Sequence, residues 1–191
     1  MQGCLYNTEH RIISWKPPIQ PVYKINMDVF QSDDRIFAIG AAVIRDADFR
    51  WFSGITRRLI SPCLLATILI TLREALKQAW SYQLNMLEVD LRREVIEELQ
   101  AGPQTCRSYL QQVATEVSEL LNRNWQDTLN YAQRLVNLSA AVLACLCKEQ
   151  RVVVIHADPP ESLLPALELD HDTFAYAQQI ENDEHRSSNN A

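Results

Sequence analysis

Long apolar runs are missing from this chain of 191 residues. The longest, Leu64 through Leu72, is closed by Arg73 and Glu74, well short of the ~20 residues that cross a bilayer as a helix. No membrane-spanning helix is expected. Residues 1–15 carry charges and no continuous apolar core, so no secretory signal is expected there. Paired cysteines are missing too. The five present are an odd number at irregular spacing, and Cys145 and Cys147 stand two apart on an expected helix, pointing to different faces. This pattern argues against a disulfide framework or a zinc site, and for reduced, mostly packed thiols. The location expected from these features is intracellular, cytoplasmic or nuclear. Positive charge is in deficit: 18 Lys and Arg face 24 Asp and Glu, for a net charge of −6, which argues against strong non-specific DNA binding. The deficit is greatest near the end. Residues 161–185 hold Glu161, Glu168, Asp170, Asp172, Glu181, Asp183 and Glu184 without one lysine, and Arg186 follows just beyond.

What is present is an ordinary globular balance, 47% hydrophobic and 22% charged residues, in a chain long enough to bury one real core. Residues 1–20 read as an extended leader, because Pro17, Pro18 and Pro21 deny it a helix. Residues 21–178 read as the domain and 179–191 as a polar tail without fixed structure. Within the domain, Tyr23, Ile25 and Met27 alternate with Lys24, Asn26 and Asp28, predicting a strand over 22–30. Strands over 36–45 and 49–56 follow after tight Asp-containing turns, making an antiparallel meander. The period then changes. Ser61-Pro62 offers a helix start, and nothing breaks a helix over 64–82. A strand over 84–89 ends on Asp90. Helices over 92–100, closed by Gly102-Pro103, and 108–121 come next. A strand over 125–131 and a helix over 136–147 complete the pattern; residues 152–155 read as either a short strand or a packed tail. A meander followed by crossover units implies a mixed α/β sheet with helices on its faces.

Several segments carry a resemblance. Trp15-Lys16-Pro17-Pro18, a short gap, then Tyr23-Lys24-Ile25-Asn26-Met27-Asp28 resembles the W-x-P-P and K-hydrophobic-N-V-D-G-A opening of the plant-type (type 1) RNase H domain, the reverse-transcriptase-associated kind found in non-LTR retroelements and many plant proteins. Thr67 through Leu76 is similar to that family's A-E-A-x-A-L-R-E-A-L, the stretch Leu72 to Leu76 fixing the register. Met86-Leu87-Glu88-Val89-Asp90 is similar to V-x-V-E-S-D, and Arg134 through Ala144 to R-E-x-N-x-x-A-D-x-L-A. Pro159-Pro160 through Asp170 looks like the family's C-terminal end. The resemblance covers about residues 15–178.

The resemblance implies an RNase H-like fold, a five-stranded mixed sheet of antiparallel meander plus parallel strands flanked by helices. It implies cleavage of the RNA strand of RNA–DNA hybrids by two Mg²⁺ ions roughly 4 Å apart, held by four carboxylates. Asp28 and Asp90 stand at two of those positions; Ile68 and Ala141 stand at the other two. The family's Gly-Ala after the first aspartate is here Val29-Phe30. Glu74 cannot replace the lost helix glutamate, since six residues turn it about 240° around the helix and ~9 Å along it. About −2 of ligand charge then faces about +4 of metal charge, so the expected reading is a catalytically degenerate nucleic-acid-binding domain with weak or no magnesium binding. The alternative is an active metal-dependent hybrid ribonuclease in which Glu88, two residues from Asp90 on the same strand face, or another acid such as Asp127, replaces a lost ligand. A decayed retroelement fragment is the third reading. The family binds its hybrid on a basic surface; the matching candidates are Arg57, Arg58, Arg92 and Arg93, with Asn137, against the plainer reading of solvated charges. Trp51 and Trp125 read as core residues rather than base-stacking platforms. Nothing in the sequence names a protein partner.

Overall fold

We analysed a computed structural model of the chain, which describes residues 12–60, 63–123, 126–132, 134–148 and 152–188. Its strands are β1 (Tyr23–Gln31), β2 (Phe37–Arg45), β3 (Trp51–Ile60), β4 (Met86–Leu91), β5 (Gln126–Tyr131) and β6 (Val154–His156). Its helices are α1 (Leu64–Ser81), α2 (Arg93–Ala101), α3 (Ser108–Leu121), α4 (Leu138–Leu146) and α5 (Leu164–Ser188). Among the described residues no helix is long and apolar enough to cross a membrane.

The six strands form one sheet in the order β5-β4-β1-β2-β3-β6. β1, β2 and β3 are the expected antiparallel meander. β4 pairs in parallel with β1 and β5 in parallel with β4, each reached by a helical crossover. The sheet has six strands rather than five because Val154–His156, which overlaps the stretch 152–155 left open as strand or tail, pairs antiparallel with β3, Ile55 opposite Ile155. The outer edge of β3 would otherwise leave a row of unpaired backbone groups.

β2 runs through the middle of the sheet and is covered on both sides. Ala38, Ala42 and Ile44 belong to a core shared with α1 and α3, while Ile39, Ala41 and Val43 belong to a second core shared with α4. Gly40 lets α1 approach the strand backbone closely. A Cβ there would collide with the Thr71 hydroxyl and lie 3.2 Å from Thr67 Cγ2. The α1 N-cap is Cys63, with no side-chain capping bond; Ser61 and Pro62, the expected start, lie outside the described residues, as does Trp125.

Two segments differ from expectation. The leader is not separate from the core: Trp15 is buried, its ring edge-on to Phe49 and beneath the Arg45 guanidinium, 3.8 Å from the ring centroid. At the other end, α5 continues through Ser188, into the stretch expected to lack structure. Low hydrophobicity suggested disorder there, yet residues 175–186 contain no glycine or proline to stop a helix. The helix is docked by Leu163, Ala166, Asp170 and Ala177, all buried.

Candidate functional site on the polar face of the parallel strands

Alternation along β1 sends Ile25, Met27 and Val29 into the α1 core and Lys24, Asn26 and Asp28 to the opposite face. The parallel register places Lys24 beside Glu88 and Asn26 beside Asp90. Five polar side chains therefore collect on one face of two neighbouring strands, beneath α4. Four of them, Lys24, Asn26, Asp28 and Asp90, are buried, so each needs a partner.

The partners come from within the chain. Asp28 Oδ1 accepts the backbone N–H of Val29 at 2.8 Å and is paired with Arg92 Nη2. Arg92 reaches it from the turn between β4 and α2, immediately before the first residue of that helix. Lys24 Nζ lies 2.9 Å from Glu88 Oε2 and 3.8 Å from Asp90 Oδ2, and donates to the Lys16 carbonyl at 2.8 Å. Burial pushes the Asp90 carboxyl above its ordinary range, and the Glu88 charge adds to that rise; Lys24 and the amides of Asn26 and Asn130 act against it.

Asn26 joins these groups. Its Oδ1 accepts from the Trp15 indole at 2.5 Å and more weakly from Arg45 Nη2 at 3.4 Å. Its Nδ2 donates to Asp90 Oδ2 at 3.0 Å and to Asn137 Oδ1 at 2.9 Å. Asn137 in turn donates to the Met27 carbonyl at 2.9 Å. Arg45 is fully buried and ion-paired to Asp170 of α5 at 2.8 Å, where Ser139 Oγ also donates at 2.5 Å. Burial lowers the Arg45 pKa, and Asp170 opposes that fall.

The remaining sequence-predicted residues fall in different places. Ile68 is buried in the same apolar core as Val29 and Leu72, on the α1 side of the sheet, away from the face of Asp28. Ala141 is half-buried on α4, next to the buried Ala140. Glu88 shares the face of Asp90, as expected, but holds Lys24. Among the described residues no three His, Cys, Asp or Glu side chains are grouped to hold a metal ion; the Asp127 side chain lies outside them. Arg93 lies over the exposed Tyr131 ring, 4.9 Å from its centroid. Arg58 lies over Phe37 at 3.9 Å and donates to the Lys148 carbonyl at 3.0 Å; half-buried Arg57, the preceding residue of β3, faces the opposite, α1 side of the sheet. Asn137 is buried in the hub, both ends of its amide engaged with the chain rather than with solvent. Lys24, Asn26, Trp15 and Arg45 were missed as site residues; the K-x-N spacing before Asp28 was the available signal for two of them.

The family model described as reverse transcriptase-like matches residues 26–147, more than half of the chain. Among solved structures, the N-terminal RNase H domain of Rv2228c from Mycobacterium tuberculosis, fused to maltose binding protein, aligns with a TM-score of 0.58 at 16% identity, covering 65% of this chain and 91% of that one. RNase H1 from the halophilic archaeon Halobacterium salinarum NRC-1 aligns with a TM-score of 0.56 at 16% identity, covering 65% and 95%. LC11-RNase H1, solved in complex with an RNA/DNA hybrid, aligns with a TM-score of 0.57 at 16% identity, covering 65% and 94%. No curated protein matches the sequence. At such identity the structural likeness is one of fold, and it agrees with the strand order, the crossovers and the matched family: the chain belongs to the reverse transcriptase-like family, as an RNase H-type domain.

Proposed function

We propose that this domain binds nucleic acid, RNA–DNA hybrid in particular, and has lost the ribonuclease chemistry that the resemblance implies. The observation that carries the reading is the state of the two matching carboxylates. Asp28 is paired with Arg92, and Asp90 shares Lys24 with Glu88.

Magnesium takes oxygen ligands in near-octahedral geometry, and two-ion hydrolysis needs both ions to organise the attacking and leaving oxygens. The residues present do not fit such a cage. Ile68 offers hydrocarbon and is packed in the core, Ala141 offers a methyl group, and cationic side chains already engage the carboxylates that remain. Glu88 as a stand-in ligand would have to give up Lys24. Nucleic acid remains the ligand class on two grounds: a structural relative was solved with an RNA/DNA hybrid, and Arg92 and Arg93 line the carboxyl ends of the parallel strands, where open α/β sheets bind ligands.

The test is an RNA–DNA duplex incubated with the domain in Mg²⁺ or Mn²⁺, with binding and cleavage both measured. Binding without cleavage is expected. Cleavage that Asp28→Asn abolishes would establish the alternative, an active hybrid ribonuclease.

A further inference from the structure

We infer that Arg92 takes the electrostatic place of a metal ion, and that the site receives a backbone phosphodiester of nucleic acid with no divalent cation present. The inference rests on the nucleic-acid reading above and adds what that reading leaves open: which group meets the phosphate, and whether metal is needed.

The charge around the site points this way. Four bare carboxylates present about −4 to an approaching polyanion, which only bound cations can offset. Here Asp28 is offset by Arg92, and Glu88 with Asp90 is offset in part by Lys24, so that among the described side chains these five sum to about −1. Asp170, the other carboxylate packed against it, is matched by Arg45. The barrier that made metal a precondition for substrate approach is largely removed.

The positions of the two cations divide the work. Lys24 is buried beneath the leader, held by Glu88 and the Lys16 carbonyl, and cannot reach a ligand. The Arg92 side chain is 29% exposed, whereas Asp28 beneath it is 1% exposed. Arg92 is therefore the part of the pair that meets solvent. A guanidinium carries five donors in a rigid fork, and the contact with Asp28 Oδ1 engages Nη2. Asp28 also accepts the Val29 N–H, so it keeps a partner while Arg92 is shared with a second anion. A phosphodiester suits the fork because two of its oxygens can be bridged at once. Arg93, over Tyr131, adds a second cation on the same rim.

The experiment is fluorescence anisotropy of a labelled RNA–DNA hybrid, in EDTA and then in Mg²⁺. The wild-type domain should bind within about twofold equally in the two buffers. Arg92→Gln should weaken binding in EDTA by about tenfold, on the scale of one lost charge-assisted phosphate contact. Arg92→Lys should recover part of the loss. Asp28→Asn should tighten binding severalfold, because it releases Arg92 and removes a negative charge. If Arg92→Gln fails to fold because the buried Asp28 loses the Arg92 charge, Asp28→Asn/Arg92→Gln removes that conflict and should bind about tenfold more weakly than Asp28→Asn alone. Binding that appears only with Mg²⁺, or that is unchanged in Arg92→Gln and in the double variant, would overturn the inference and leave the nucleic-acid reading standing. No hybrid binding in either buffer would sink both.

Discussion

Asn26 shows how much one side chain can organise. It is fully buried, and its single amide serves the Trp15 indole, Asp90 and Asn137, with Arg45 at longer range. Asn26→Ala would take one partner from each of three buried polar groups, Trp15, Asp90 and Asn137, a loss of about 2–4 kcal/mol, read as a lower urea midpoint with unchanged slope. An effect below about 0.5 kcal/mol would mean that water or a shifted Asn137 replaces the amide. Asp90 gives a prediction in pH. Its folded pKa is raised above the ordinary 3.8, chiefly by burial. The folded protein therefore holds this proton to higher pH than the unfolded chain does. The resulting stabilisation is complete below the ordinary carboxylate value and is lost as pH rises through the folded one. Urea midpoints of wild type and Asp90→Asn, compared from pH 3.5 upward in steps of about 0.5, should show the difference between them shifting in favour of the variant as pH rises. Parallel pH profiles would contradict the assignment.

At the scale of elements, the buried Arg45–Asp170 pair fastens α5 to the sheet, with Ser139 bringing in α4. The contact joins residues 125 positions apart, and no periodicity in either segment could have indicated it. The polar composition of residues 179–191 is what suggested a structureless tail; α5 instead runs on to Ser188, and Asp170, in the acidic stretch before that tail, has a fully buried guanidinium to neutralise. Such a pair costs desolvation on both sides, and the Nε of Arg45 has no hydrogen-bond partner among the described residues. Removing one member should therefore hurt more than removing both. Asp170→Ala should cost about 3–5 kcal/mol and loosen α5, seen as faster amide exchange over residues 164–180. Arg45→Met combined with Asp170→Leu should recover most of that stability. A double variant as unstable as Asp170→Ala would show that the pair, and not the packing around it, holds the helix. The short strand β6 follows a similar logic: three residues are too few to signal a strand, and it exists because β3 offers an edge.

For the whole molecule, the meander, the crossovers and the positions of Asp28 and Asp90 were legible because each is local: alternation in nine residues, a helix start, an acid at a strand end. The charge balance of the site was not. Lys24 meets Glu88 only through a parallel register across 64 residues, and Arg92 meets Asp28 only once β4 lies beside β1. The sequence names the acids; the fold decides which cations answer them. This bears on how tightly a protein of net charge −6 can hold a polyanion. Each phosphate neutralised contributes about −0.7 to −0.9 to the slope of log K against log salt. Few of the described cations at the site itself are available to contribute. Lys24 and Arg45 are buried in internal pairs, and Arg58 and Arg93 already lie against rings. Arg92, with a share from Arg93, should neutralise about one or two phosphates, giving a slope of about −0.7 to −1.8. Anisotropy titrations of the hybrid over a series of KCl concentrations would measure it, and Arg92→Gln should make the slope shallower by about one contact. A slope steeper than about −5 would require a basic surface beyond these residues; a slope unchanged in Arg92→Gln would take Arg92 out of the interface and return the paired Asp28–Arg92 to a purely structural role.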